Sequence, residues 1–535
     1  MKKLFVIILF SGSVCKGFCQ SETTYVITAF GAKPDGKTIN TSSIQKAIDK
    51  AAVRGGKVIV PAGKFVTGPI ILRSGVELHL QKNAVILGSI NRLDYGKGNA
   101  ASLITARGQT NISITGKGEI DGRGAEVVAD LYKLLKAGIL QDDQWKIKRP
   151  EESNRPRIIT FESCNNVLVK AVTIRNGAGW IQNYDRCTNL IIDSITVNST
   201  AYWNNDGIDI VNSKNVSITN CYVDAADDAI CLKSEGSILD SCVNVYIANC
   251  KLRSSANALK LGTNSFGGFR NIRIKDLEVF DTYRSAIALE AVDGGFLENV
   301  DVQHVRARNT GNAIFIKLGH RNKNDIYSTV KGIRITDLYV EVPSGKPDKG
   351  YPMEGPVLRY PRGVIPAAKG EFQSISPWNK SDNDSTAIVY EHNVFPSSIT
   401  GLPGHLVEDI MLENITIVYE GGADKTVAFF PPDSLTKITE AETSYPEFSM
   451  FGELPCWGLY VRHAKNITMK NILMRYKNYD FRAAAIFDDV NGLKLDNVMI
   501  PSYKELPILL LNNVRDHSFH QLKFMVDESK AVKIQ

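Results

Sequence analysis

Apolar and polar residues alternate through most of the chain in stretches too short for helices. One five-residue pattern recurs: Asp206-Gly207-Ile208-Asp209-Ile210, Asp228-Ala229-Ile230-Cys231-Leu232, Asn257-Ala258-Leu259-Lys260-Leu261, Ser285-Ala286-Ile287-Ala288-Leu289 and Asn312-Ala313-Ile314-Phe315-Ile316. Their first positions are 22, 29, 28 and 27 residues apart, which marks a repeated supersecondary unit. Side chains alternate across a strand, so the third and fifth positions of each unit share an apolar face. A single unit cannot bury that face; stacked units can. The pattern predicts an all-β chain, a single-stranded right-handed parallel β-helix. A second strand start, Asn followed by alternating aliphatics, recurs at Asn166, Asn189, Asn215, Asn244, Asn271 and Asn299, with related starts near Gly332, Asp409, Asn466 and Gly492. Asparagine tolerates left-handed backbone and caps turns, so these positions read as coil corners.

Thr24–Asp35 reads as a strand and turn, and Asn40–Ala52 as an amphipathic helix. Thr41 or Ser42 would cap this helix, and Ile44, Ala47, Ile48 and Ala51 would face inward. It is the expected lid on the first open coil. Glu126–Trp145 interrupts the strands as a helix-like insertion. Two long irregular insertions, 343–405 and 421–455, are rich in Pro, Gly, Tyr and Ser. Loops of that length are usually functional or disordered. Their aromatics (Tyr351, Tyr360, Trp378, Tyr445, Phe448, Phe451 and Trp457) suit sugar stacking along a cleft. Because the repeat spans most of the sequence, residues 20–535 are read as one domain. Residues 1–19 are read as a secretory signal, with Met1-Lys2-Lys3, an apolar Leu4–Phe10 and cleavage near Cys19-Gln20. A lipid anchor on Cys15 or Cys19 matches less well. No later run reaches the ~18 apolar residues of a membrane span. The protein is therefore expected to be exported, periplasmic or secreted.

Charge changes this picture little. The net charge of +6 is mild and spread out, with no basic block of the kind that binds nucleic acid. A cleft for an acidic polysaccharide remains compatible with it. Seven cysteines remain after the leader. Cys164, Cys187 and Cys242 precede strand-start asparagines by two residues, while Cys221 and Cys250 follow such asparagines by six. Equivalent positions on stacked coils predict buried thiol ladders and not a metal site.

Chemistry concentrates between Tyr202 and Glu235. Adjacent coils lie roughly 4.8 Å apart, so Asp206 and Asp228 become neighbours with Asp227 beside them. Converging carboxylates repel, raising the pKa of at least one. A proton donor and a water-activating base are what glycosidic hydrolysis requires. Asp209, in the same stretch, reads equally well as a turn aspartate.

The chain resembles glycoside hydrolase family 28, the polygalacturonases and their relatives. The resemblance rests on Phe30-Gly-Ala-Lys-Pro-Asp-Gly36, Gln45-Lys-Ala-Ile48, Pro61-Ala-Gly63, Ile120-Asp-Gly122, Asn204-Asn205-Asp206 and Ala226-Asp227-Asp228, followed by Ile230-Cys231-Leu232-Lys233-Ser234. It implies an inverting reaction in which Asp227 protonates the leaving oxygen while Asp206 and Asp228 hold and deprotonate water, with no metal or cofactor. The family's Gly-His-Gly falls on Ala256-Asn257-Ala258. Its carboxylate-gripping Arg-Ile-Lys falls on Ala288-Leu289-Glu290, where a glutamate would repel a uronate; Arg273-Ile274-Lys275 lies one strand early and reads as coincidence. Lys233, Lys260, Arg284 and Lys317 are then the expected substitutes for holding an anionic sugar, with Asn257 and Glu290 at the departing positions. Two other readings stay open, a β-helix polysaccharide lyase and a non-catalytic carbohydrate-binding solenoid.

Overall fold

A computed structural model describes residues 23–147, 149–345, 347, 359–361, 387–389, 395–423, 432–452, 454–501 and 507–535. The leader predicted at 1–19 lies outside them, as do Tyr351 and Trp378. Parallel strands stack from Thr24–Val26 to Val532–Ile534, those within the stack pairing with the strands one coil before and one coil after. This is the parallel β-helix that the alternation predicts.

The five-residue units stack in register. Ile208, Ile230, Leu259, Ile287 and Ile314 form one inward column, and Ile210, Leu232, Leu261, Leu289 and Ile316 the next. Every one of these side chains is buried, each worth about 1.5–3 kcal/mol. Between coils the fit is close: a Cβ on Gly207 would lie 2.5 Å from the Ala229 carbonyl oxygen. Only glycine fits immediately after Asp206.

The corner asparagines form a ladder of their own. Asn166, Asn189, Asn215, Asn244, Asn271 and Asn299 all have φ between 54° and 58°. Each amide donates to the asparagine one coil earlier, as Asn244 Nδ2 does to Asn215 Oδ1 at 3.1 Å and Asn299 Nδ2 to Asn271 Oδ1 at 2.7 Å. Cys187 stacks over Cys164 and Cys250 over Cys221 as predicted, but Cys242 lies over Ser213, which separates it from Cys187; all seven cysteines in the described residues are free and buried. Cys231 faces outward beside the acids.

A helix α1 (Thr41–Ala52) covers the first coil with Ile44, Ala47, Ile48 and Ala51 buried. Its cap position is Asn40, one residue before the expected Thr41 or Ser42, because the Thr41 hydroxyl is taken by the Gly68 amide at 2.7 Å. A second helix, α2 (Gly124–Lys136), forms the first insertion. The boundary 343–405 needs correction: Ser397–Thr400 is a strand of the stack, paired with Phe315–Lys317 and Leu459–Arg462. Trp457 also departs from expectation. It sits inside the coil core between Tyr419 and Tyr476, away from any cleft.

The asparagine ladder yields a stability test. Asn244→Ala keeps neither the ladder bond nor the tolerance for φ 58°, and is expected to cost about 1–2 kcal/mol. Asn244→Gly, which adopts that φ freely, should cost less; thermal melting of the two variants makes the comparison.

Candidate active site

Backbone register builds the site. Gly207 N donates to Asp228 O at 2.9 Å, and Ala229 N to Asn257 O at 2.9 Å. Asp206, Asp228 and Asn257 therefore stand in one column, the first positions of three successive units. Asp227 precedes Asp228 at the bend and is half-buried, its Oδ1 accepting from the Asp228 amide at 2.9 Å. The structure thus brings together all three acids singled out in the sequence. Asn205 serves a different end: wholly buried, it accepts from Ser199 Oγ and the Tyr202 amide and donates to Gly179 O, fixing the turn that presents Asp206.

The fourth member is Asp209. It is no turn residue. It lies within the strand Ile208–Val211, fully buried and facing outward beside Cys231. Lys233 Nζ bridges Asp209 at 2.9 Å and Asp206 at 3.2 Å and lies 3.0 Å from Cys231 Sγ. Oxygens of Asp206 and Asp228 and the Cys231 sulfur come within 4.8 Å of one another, a spacing fit for a cation. The Lys233 ammonium supplies that charge.

The acids differ sharply in their electrostatics. Burial, then Asp206 and Asp228, push the Asp227 carboxyl up to about 7. Burial would also raise Asp228, but Lys260, Lys233, Arg284 and the Asn257 amide outweigh it and hold the group at about 2. Lys260 Nζ is 3.1 Å from Asp228 Oδ2; Asn257 gives Asp228 Oδ1 both its backbone amide at 3.0 Å and its side-chain amide at 2.8 Å. Burial and neighbouring Asp209 raise Asp206 well above the carboxylate range despite Lys233. Near neutral pH the site therefore offers a proton on Asp227, a firmly ionised Asp228 and a hydrogen-bonding Asp206. An acid and a base have been pulled apart by their surroundings.

The basic groups expected to grip a substrate carboxylate are engaged elsewhere. Besides Lys233 and Lys260, Arg284 lies 3.6 Å from Glu447. Lys317 is 1% exposed and donates to Glu440 O at 3.0 Å; burial lowers it to about 7. Glu290 is wholly buried, accepts from Thr263 Oγ1 and is raised by burial to about 7. It does not reach out to repel a uronate.

The reason lies in the second insertion. Along the outward column the residues run Asp209, Cys231, Lys260, then Ala288, Phe315, Ser398, Tyr460, Ile486, Leu510. The column turns largely apolar where residues 435–452 fold over it, packing Leu435, Ile438, Phe448, Met450 and Phe451 onto Ala288, Phe315 and Tyr460. Glu440 holds this cover down through Arg462 at 2.9 Å and His463 at 3.1 Å. Phe448 and Phe451 are thus packing residues, whereas Tyr445 reaches the site, its hydroxyl accepting from Lys260 Nζ at 3.1 Å. The apolar fourth position from Ala288 onward was the sequence signal for this cover.

Sequence reasoning missed the opposite wall. Trp180, one coil before Asp206, carries the Arg157 guanidinium 4.2 Å and Lys233 Nζ 4.5 Å from its ring centre. Trp203 carries Arg149 at 5.4 Å.

Residues 52–349 match glycosyl hydrolases family 28. The chain is 30% identical over 292 residues to an exo-poly-alpha-D-galacturonosidase of Dickeya chrysanthemi, covering 46% of this chain and 48% of that one. It is 27% identical over 332 residues to an endo-polygalacturonase of Pectobacterium carotovorum subsp. carotovorum, covering 56% and 80%. The match thus spans about half the length of the first relative. Among solved structures, a hyperthermoactive exopolygalacturonase from Thermotoga maritima superposes with a TM-score of 0.58 at 21% identity, over 84% of this chain and 91% of that one; it shares the fold.

The electrostatics predict the pH profile. With Asp227 as the expected general acid, which acts while protonated, catalysis should fall as pH rises past about 7. Lys260→Met removes the main charge holding Asp228 down; Asp228 then protonates at higher pH, and the acidic limb of kcat/KM should move upward. An unmoved acidic limb would remove Asp228 from the role of base.

Proposed function

Because the chain belongs to glycosyl hydrolases family 28, we propose that it is an exported, inverting glycosidase that cleaves a pectic or other uronic-acid-containing polysaccharide or oligosaccharide. One observation carries this reading: Asp227 and Asp228 stand side by side in opposite surroundings, burial and neighbouring carboxylates raising the first to about 7 while Lys260 and Asn257 hold the second at about 2. Asp227 protonates the glycosidic oxygen as the bond breaks. Asp228, clamped by Asn257 and Lys260, takes the proton of a water that Asp206 helps to hold, and that water attacks the anomeric carbon from the opposite face. Asn257 cannot titrate as the family's histidine does, but it gives Asp228 two hydrogen bonds.

The covered C-terminal end of the cleft favours removal of units from a chain terminus over cutting within a chain. The relatives include an exo-poly-alpha-D-galacturonosidase and an endo-polygalacturonase, so the mode of action rests on the insertion. A lyase would need a neutral Lys or another basic group to abstract a proton. Lys233 and Lys260 are instead held in the charged form by neighbouring carboxylates, and Lys317 lies under the insertion. Export rests on the sequence of residues 1–19; among the described residues no helix is long and apolar enough to cross a membrane.

A reducing-end assay over pectic fractions tests the reading. Release from one fraction, abolished in Asp206→Asn/Asp228→Asn, is the expected result. Asp227→Asn should lower kcat by about 10²–10⁴ while retaining substrate affinity. Terminal attack predicts a single product size from the first turnovers; a ladder of oligomers would exclude it. Binding without release from any fraction would favour the non-catalytic solenoid.

A further inference from the structure

A uronate-cleaving site needs a cation for the sugar carboxylate. The basic groups C-terminal to the acids are held within the protein: Lys233 by Asp206 and Asp209, Lys260 by Asp228, Arg284 by Glu447 and Lys317 by Glu440 O. The family's Arg-Ile-Lys positions hold Ala288, Leu289 and the buried Glu290.

Arg157 differs in place and in contacts: it lies on the other side of the acids and is bonded to none of them, although its charge also helps to lower buried Asp209. Extending the register of Ile159↔Gln182 and Asn183↔Asp209 by two and three residues places Arg157 in the column Arg157–Trp180–Asp206–Asp228. It stands two coils before Asp206, about 10 Å along the coil axis. Its guanidinium lies over the Trp180 ring at 4.2 Å, and the residue is half-buried. Among the described residues no carboxylate or other acceptor is bonded to its side chain. An arginine laid on an aromatic face keeps its N–H edges available and loses little freedom on binding, and those edges match a carboxylate bidentately. Arg149, on Trp203 three residues before Asp206, adds a second stacked guanidinium to the same wall.

We propose that Arg157, laid on Trp180, is the carboxylate-binding group of a sugar subsite on the N-terminal side of the acids, taking a uronate residue of the glycan. The proposal rests on the uronate-glycan reading above. The substrate anion is then held on the opposite side of the scissile position from the one implied by the family motif.

The test is calorimetric binding of trigalacturonate and of its methyl ester, run on the Asp227→Asn protein and on Asp227→Asn/Arg157→Met. Hydrolysis by the unaltered protein, measured alongside, tests the enzymatic reading separately. The Arg157-bearing protein should prefer the free acid, and Arg157→Met should cut that preference tenfold or more. An unchanged preference, or no binding of the acid to the Arg157-bearing protein, overturns the subsite. If circular dichroism finds Arg157→Met misfolded, Arg157→Lys decides the matter: it keeps the charge without the planar fork, so the preference should drop severalfold and persist. A preference in the Arg157→Lys variant equal to that of the Arg157-bearing protein overturns the proposal too.

Discussion

Coil-to-coil backbone hydrogen bonding in one fixed register is the constraint from which the chemistry follows. Shifting one strand by a residue would turn its inward aliphatics outward and carry Asp206 away from Asp228. The stacked columns beginning at Ile208 and Ile210 make that shift costly, and the asparagine ladder pins the corners. The glycine after Asp206 allows the coils to approach closely enough for the carboxylates to meet. The site is therefore precise because the scaffold beneath it is repetitive.

Placing four aspartates in so small a volume is unfavourable unless cations accompany them. The structure answers with Lys233 between Asp206 and Asp209, and with Lys260 and Arg284 around Asp228 and Asp227. The balance is uneven, and the unevenness is useful. Asp228 receives most of the positive potential and two amide bonds, while Asp227 receives less and sits beside two carboxylates. Neighbouring residues of the chain thus differ by several pH units in where they ionise. The cations that achieve this are committed to the protein's own acids, which is why an anionic sugar needs a different partner.

The insertion at residues 435–452 ties architecture to reaction mode. It spreads apolar side chains over the outer sheet from Ala288 onward, and Tyr445, Glu447 and Glu440 reach from it to Lys260, Arg284 and the Arg462–His463 pair. One end of the cleft is occupied by protein and the other is lined by indole and guanidinium groups. That asymmetry separates this molecule from a plain open groove.

The sequence by itself determined the solenoid, the capping helix, the thiol ladders and the three acids, because strand alternation and a repeat of 22 to 29 residues convert directly into faces and neighbours. It also determined, through Asn204-Asn205-Asp206 and Ala226-Asp227-Asp228, the family to which those acids point. Only the tertiary structure decided which charges remain available. Lys233, Lys260, Arg284 and Lys317 look alike as letters; whether each meets a carboxylate, a carbonyl or nothing depends on coils and loops distant in sequence. Glu290 and Asp209 changed meaning for the same reason, since burial and not residue type sets their ionisation. Arg157 and Trp180, 23 residues apart, carry no motif and acquire significance only once stacking puts one upon the other.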